Sequence, residues 1–211
     1  MEKQSIYKKI NGILDELSRL QNTLYGMNMT DIQRYRENYE ILATDAALRG
    51  EQIACRLRHM IYTTTSTKKT EYMKSSAQIQ NICIEESDGI VEITFPGLMP
   101  KRKQWQNSEF LIDPLYFALN DYTDHHTPVK FKECVVCFVN IYCKDLPSRR
   151  IRDYDNVELK QALDVISTFF MVDDNGQYCD AFHTSRFGED DATQIFIMKK
   201  SDFPDWLLNC F

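Results

Sequence analysis

Residues 129–143, VKFKECVVCFVNIYC, are entered through Pro128 and dominated by valine, isoleucine and aromatic side chains. A run of this composition reads as a buried β-strand, and the rest of the chain is organised around it. Cys134 and Cys137 spell CxxC within it. Positions three apart on a strand point to opposite faces, so the two sulfurs cannot share a zinc ion without a bend. No second CxxC or CxxH stands elsewhere, and the seven cysteines are odd in number and scattered. Reduced core thiols are expected rather than a disulfide framework or a metal clip.

Upstream, Ile82 and Ile84, then Ile90, Val91, Ile93 and Phe95, flank Ser87-Asp88-Gly89 and predict a β-hairpin. Asn107 to Asn120, with Leu111, Leu115, Phe117 and Leu119 apolar, predicts a helix. Downstream, Val157 to Phe170 carries helical apolar spacing. Asp173-Asp174-Asn175-Gly176 is a turn sequence, and strands are expected at Gln177–Phe182 and Thr193–Met198. The tail FPDWLLNCF is short and apolar enough to dock on this domain.

The N-terminal third has a different period. Ile6, Ile10, Ile13, Leu17, Leu20 and Leu24 follow alternating four and three spacings, the seam of a helix that buries one stripe. Gly26 is placed to end it and Thr30 to cap the next helix. A second stripe follows in Ile32, Tyr35, Tyr39, Leu42, Ala46 and Ile53. An antiparallel helical hairpin is expected over residues 1–62, a polar Ser/Thr-rich linker over 63–77, and an α/β domain over 78–211. Two helices bury too little to stand alone, so the hairpin should pack on the second domain, on a partner, or on a second copy; a homodimer is the economical expectation.

At 211 residues and 43% hydrophobic content the chain can bury a sizeable core, while 25 basic against 31 acidic residues give a net charge of -6. That balance lacks the overall positive charge usual for nucleic-acid binding, so any such contact needs a local patch. No apolar run reaches membrane-spanning length and MEKQSIYKKI has no signal-peptide pattern; a soluble cytoplasmic protein without a membrane partner is expected. With seven glycines in all and no P-loop, dinucleotide fingerprint or GxSxG elbow, nucleotide hydrolysis and hydride transfer are disfavoured, and no organic cofactor is expected.

The chemistry-bearing stretch is RRIRDYDNVELKQALD, residues 149–164. Asp153 and Asp155 stand two apart at a strand-to-helix junction, where an extended backbone turns both the same way. Lys160 and Asp164 lie one helical turn apart, and Asp173 and Asp174 come at the far end of that helix. Either DxDN or DDNG alone is a common capping or turn device. His125-His126 reads as a loop feature before Pro128, and the hairpin tyrosines as seam packing.

Over residues 89–198 the order of these motifs resembles the RusA-type Holliday junction resolvases: a strand ending in ITFPGLMPKRK, a helix, a long strand entered by Pro-Val, an arginine-flanked DxDN, a helix with Lys and then Asp, a DD pair and two closing strands. The hairpin has no counterpart in that family. With the hairpin read from its spacing, the expected fold is α+β: the hairpin followed by what the resemblance implies, a RusA-like domain with a largely antiparallel sheet and two helices. The resemblance further implies a magnesium-dependent endonuclease acting on branched DNA as a homodimer in recombination or repair. Carried over, it names Asp153, Asp155 and Asp174 as metal-site aspartates, with Asp173 the fallback, and Lys160 as the catalytic lysine, although Lys160 follows Asn156 by four residues where the family spacing is three. A basic residue on the penultimate strand falls to Arg186 or His183. Lys101, Arg102, Lys103, Lys144, Arg149, Arg150 and Arg152 are the candidate phosphate contacts. The alternative is a RusA-like scaffold that no longer cuts and serves as a binding module.

Overall fold

The computed structural model describes residues 2–99, 108–145, 151, 153–154, 157 and 159–210. The fold is α+β: helices α1 (Glu2–Met29), α2 (Arg36–Thr64) and α3 (Lys69–Ile79) precede the hairpin β1 (Cys83–Ser87) and β2 (Ile90–Phe95), followed by α4 (Ser108–His125), β3 (Cys134–Cys143), α5 (Lys160–Phe170), β4 (Cys179–Gly188), β5 (Ala192–Lys199) and α6 (Phe203–Cys210). The chain divides into two compact units, Met1–Lys69 and Thr70–Phe211.

In the first unit α1 and α2 pair through a polar network as much as through apolar contacts. Arg49 donates from its Nε to Asp45, 2.8 Å, and from Nη1 to Glu16 across the pair, 2.9 Å, while the Thr23 hydroxyl donates to Asp45, 2.9 Å. The Arg49 guanidinium and the Thr23 hydroxyl hold the Asp45 carboxyl below its usual range. The expected seam is only partly used. Ile13 is buried, yet Ile10, Leu17 and Leu24 of the same stripe are exposed, because the face of α1 towards α2 also includes Glu16 and Thr23. Gly26 lies inside α1 rather than at its end, and Thr30 turns its hydroxyl back to the Gly26 carbonyl, 2.7 Å, instead of capping α2. Asp31 makes the turn, accepting from the backbone N–H of Gln33 and Arg34.

The expected linker is mostly helix. Of residues 63–77, α2 runs on to Thr64 and α3 starts at Lys69. Met73 and Ala77 bury one side of α3, and Lys74 pairs with Asp121 of α4, 2.5 Å, and with Asp124, 3.6 Å. A sparse apolar pair spaced four apart is enough for a short helix when tertiary contacts rather than its own propensity hold it.

The sheet of the second unit has the order β1-β2-β5-β3-β4, and β3 with β4 is its parallel pair. Asp88 and Gly89 both take positive φ, 53° and 77°, the mirror-image turn whose twist suits a two-residue hairpin between β1 and β2. One face of the sheet packs Val136, Phe138, Ile195, Ile197 and Ile93 against Leu115, Leu119, Ile166 and Phe170 of α4 and α5; the other packs Val135, Cys137, Val139, Phe196 and Met198 against Trp206 of α6. Cys134 belongs to the first face and Cys137 to the second, as strand alternation requires. Beyond the two expected helices, α4 and α5, this unit therefore includes α3 and the docked α6. β3 begins at Cys134 rather than Val129, because Phe131 instead bridges Met171 at the end of α5. β4 extends to Gly188, well past the expected Phe182; as an edge strand it accepts the polar residues 183–186.

Candidate functional site

Because β3 and β4 are parallel, the chain must cross from the C-terminal end of one to the N-terminal end of the other, and α5 is that crossover. The DxDN stretch lies between β3 and α5. Its described members are Asp153 and Tyr154, both exposed, and a turn closes where the Val157 N–H meets the Tyr154 carbonyl, 3.4 Å. Asp155 lies outside the described residues, as do Lys101, Arg102, Lys103, Arg149, Arg150 and Arg152. Lys144 is exposed just beyond β3.

The Tyr154 ring meets the edge of the His183 ring at 5.9 Å, and His183 in turn stands against Phe138 at 5.3 Å. His183 is half-buried on the helix side of the edge strand. Burial holds its pKa below the usual histidine range, which favours the neutral imidazole. Of the two basic candidates for this strand, His183 and not Arg186 shares the side occupied by the Asp153-Tyr154 loop. Arg186 points through the other face, donating to Gln194, 2.6 Å, which in turn donates to Glu92, 2.7 Å.

Asp173 and Asp174 lie elsewhere. Asp173 accepts from the Asn175 backbone, 3.2 Å, and from its side-chain amide, 2.8 Å, and so makes the DDNG turn. Asp174 bears electrostatically on the Cys179 thiol at the start of β4. His183 stands four residues further along β4, about 13 Å at the rise of a strand. Asp153, Asp173 and Asp174 thus do not gather, and among the described residues no group of three His, Cys, Asp or Glu side chains is placed to hold a metal ion. The separation follows from α5, which runs antiparallel to β3 and carries the chain from one end of the sheet to the other before the DD pair. Lys160 is exposed and salt-bridged to both oxygens of Asp164, 3.0 Å each, a pair spaced one turn apart.

A polar row that the sequence did not announce crosses the sheet just beyond His183. In register, Thr193 of β5 faces Asn140 of β3, and Asn140 faces Ser185 of β4. Thr193 is fully used: its hydroxyl donates to the Gly97 carbonyl, 2.9 Å, and accepts from the Met99 N–H, 3.2 Å. Asn140 is only 2% exposed, yet its Nδ2 has no hydrogen-bond partner, and neither does the buried Ser185 Oγ. An orphaned buried polar group costs about 1–3 kcal/mol. Two of them side by side, two residues along the strand from the half-buried His183, are the strongest departure from structural economy in this unit. Only Asn140 interrupting VVCFVNIYC signals them in the sequence.

No helix among the described residues is long and apolar enough to cross a membrane. No curated protein matches the chain. A family model does match, over residues 2–210, so it spans both the hairpin and the sheet unit, and the chain belongs to the family of unknown function DUF6100.

Proposed function

We propose that the sheet unit is a magnesium-dependent endonuclease acting on branched DNA in the manner of RusA-type resolvases, with its site on the helix side of β3 and β4. The observation that carries the reading is the position of Asp153, exposed in the crossover of the parallel strand pair, with its neighbour Tyr154 against the half-buried His183. Magnesium is commonly bound through one or two carboxylates and keeps several waters. An exposed aspartate in a DxD pair fits that demand, and Asp153 with Asp155 would hold the ion. When bound, magnesium supplies Lewis-acid stabilisation of charge on the phosphate oxygens.

The chain's own groups do the rest. His183, whose burial favours the neutral imidazole, accepts a proton from attacking water. Lys160 leaves its exposed pairing with Asp164, worth about 0.3–0.5 kcal/mol, to neutralise the departing oxygen. Lys144, with the basic residues named from the sequence at 101–103 and 149–152, steers the DNA backbone in this reading. Asp173 and Asp174 have turn and packing roles in this reading. The test is cleavage of a synthetic four-way junction with magnesium by the full chain. Asp153→Asn should keep the fold and lose at least about a hundredfold in rate; equal cutting by wild type and variant, or none by either on any branched substrate, removes the reading.

A second reading is favoured by the hairpin. Leu14, Leu17 and Leu24 of α1 and Ile41 and Leu48 of α2 are exposed. This suits a scaffold that assembles with a second copy through its helices and binds without cutting.

A further inference from the structure

Asn140 sits in the middle of the sheet, where an apolar residue would pack without cost, and its amide is buried with the donor nitrogen unpaired. Its register neighbour Ser185 presents a second buried polar atom without a partner on the same side of the sheet. The flanking strand shows what a structural polar residue looks like here: Thr193, in the same row, has both its hydrogen bonds. The two orphans share one chemistry. An amide N–H2 donates and a hydroxyl can donate as well as accept, so one acceptor oxygen set between the two atoms would receive a hydrogen bond from each. Ser185 lies two residues along β4 from His183, about 7 Å.

We propose that Asn140 Nδ2 and Ser185 Oγ form a donor pair that binds a phosphate oxygen. The inference deepens the nuclease reading and rests on it for one thing, that the phosphate belongs to a nucleic-acid backbone. Buried donors that wait for an oxyanion are the arrangement that stabilises developing charge without reorganisation, and a fold keeps such unpaired groups at the expense of stability. Neither residue is a metal ligand in this scheme, so binding by the pair needs no magnesium.

The experiment uses the full chain in EDTA. The side-chain NH2 signals of Asn140 in a nitrogen–proton spectrum are assigned by their loss in Asn140→Leu, then followed during titration with inorganic phosphate and with a four-way DNA junction. Movement of these signals with either probe is expected. A response to the junction but not to free phosphate assigns the pair to the nucleic-acid backbone, and a response to both assigns it to phosphate oxygen in general. Junction affinity should fall about tenfold or more in Asn140→Leu and in Ser185→Ala. Asn140→Leu should also raise the thermal midpoint, by about 2–4 °C, because a buried donor nitrogen without a partner is replaced by an apolar side chain of similar volume. Signals that stay still with both probes, or a lowered midpoint in Asn140→Leu, overturn the proposal. If Asn140→Leu does not fold, Ser185→Ala carries the test alone, and unchanged junction affinity overturns it. Asn140 signals that move in a chain that never cuts with magnesium would keep this inference and sink the nuclease reading. Cutting with motionless signals would do the reverse.

Discussion

The two units solve the burial problem in opposite ways. In the sheet unit each face of the β-sheet has its own cluster, one under α4 and α5 and one under α6, and Val91, Ile93, Leu115, Leu119, Ile166, Phe170, Ile195 and Ile197 are fully out of water. In the hairpin unit Ile13, Ala46 and Ile53 are the buried apolar residues among those described, and the interface leans on Glu16, Asp45 and Arg49. A layered sheet covers its apolar side chains from several directions, whereas two helices can each offer only one stripe to the other. Polar groups left unsatisfied therefore mean something in the sheet unit, and apolar groups left exposed mean something in the hairpin unit. Each is a departure from what its own architecture does easily.

The contrast can be broken most forcefully at Phe138, which lies between the sheet and its helices at 1% exposure. Phe138→Ala should cost about 3–5 kcal/mol in urea unfolding. A loss under about 1 kcal/mol would mean the sheet core is looser than its packing implies. A smaller effect is expected from the hairpin. If a second copy covers it, the thermal midpoint rises with protein concentration, and Leu17→Asp with Leu24→Asp removes that rise while altering the midpoint of the dilute chain little. A midpoint independent of concentration in the wild type would discard self-assembly.

His183 sharpens the comparison through pH. Its folded pKa lies below the unfolded value of about 6.5, so the unfolded chain binds more protons in that window and stability falls as pH drops through 6.5 towards the folded pKa. Above 6.5 the contribution is fully present. Chemical unfolding at pH 5.5 and 7.5 should show this loss, and His183→Phe should shrink it; an unchanged pH dependence in the variant would mean other groups set it. The smallest effect belongs to Lys160→Ala, within about 0.5 kcal/mol in stability because its pair with Asp164 is exposed, even though junction cleavage should fall.

Much of the fold was legible because it rests on period. The DG turn, the Val/Ile run of β3 and the helical spacing of α5 each carry a local signal. The failures share one cause. α3 looks like a linker because only Met73 and Ala77 are buried along it and its tie to α4 is the Lys74 ion pair, and β4 ends early on paper because His183, Thr184, Ser185 and Arg186 are polar, which an edge strand tolerates. That early ending concealed Ser185, and Asn140 passed as part of an apolar run. Neither is visible as a pair until β3 and β4 are aligned in register, since they stand 45 positions apart in sequence. The carboxylates were legible as residues but not as a set. DxDN and DDNG are both present, and the direction of α5 parts them.

That separation is the centre of the account, and anomalous diffraction from crystals soaked in manganese, standing in for magnesium, tests it most directly. A single peak at the Asp153 carboxylate, on the His183 side of β4 and with none beside Asp173 or Asp174, is the predicted result. A peak at the DDNG turn, or a crystal with no bound ion at either place, would contradict it.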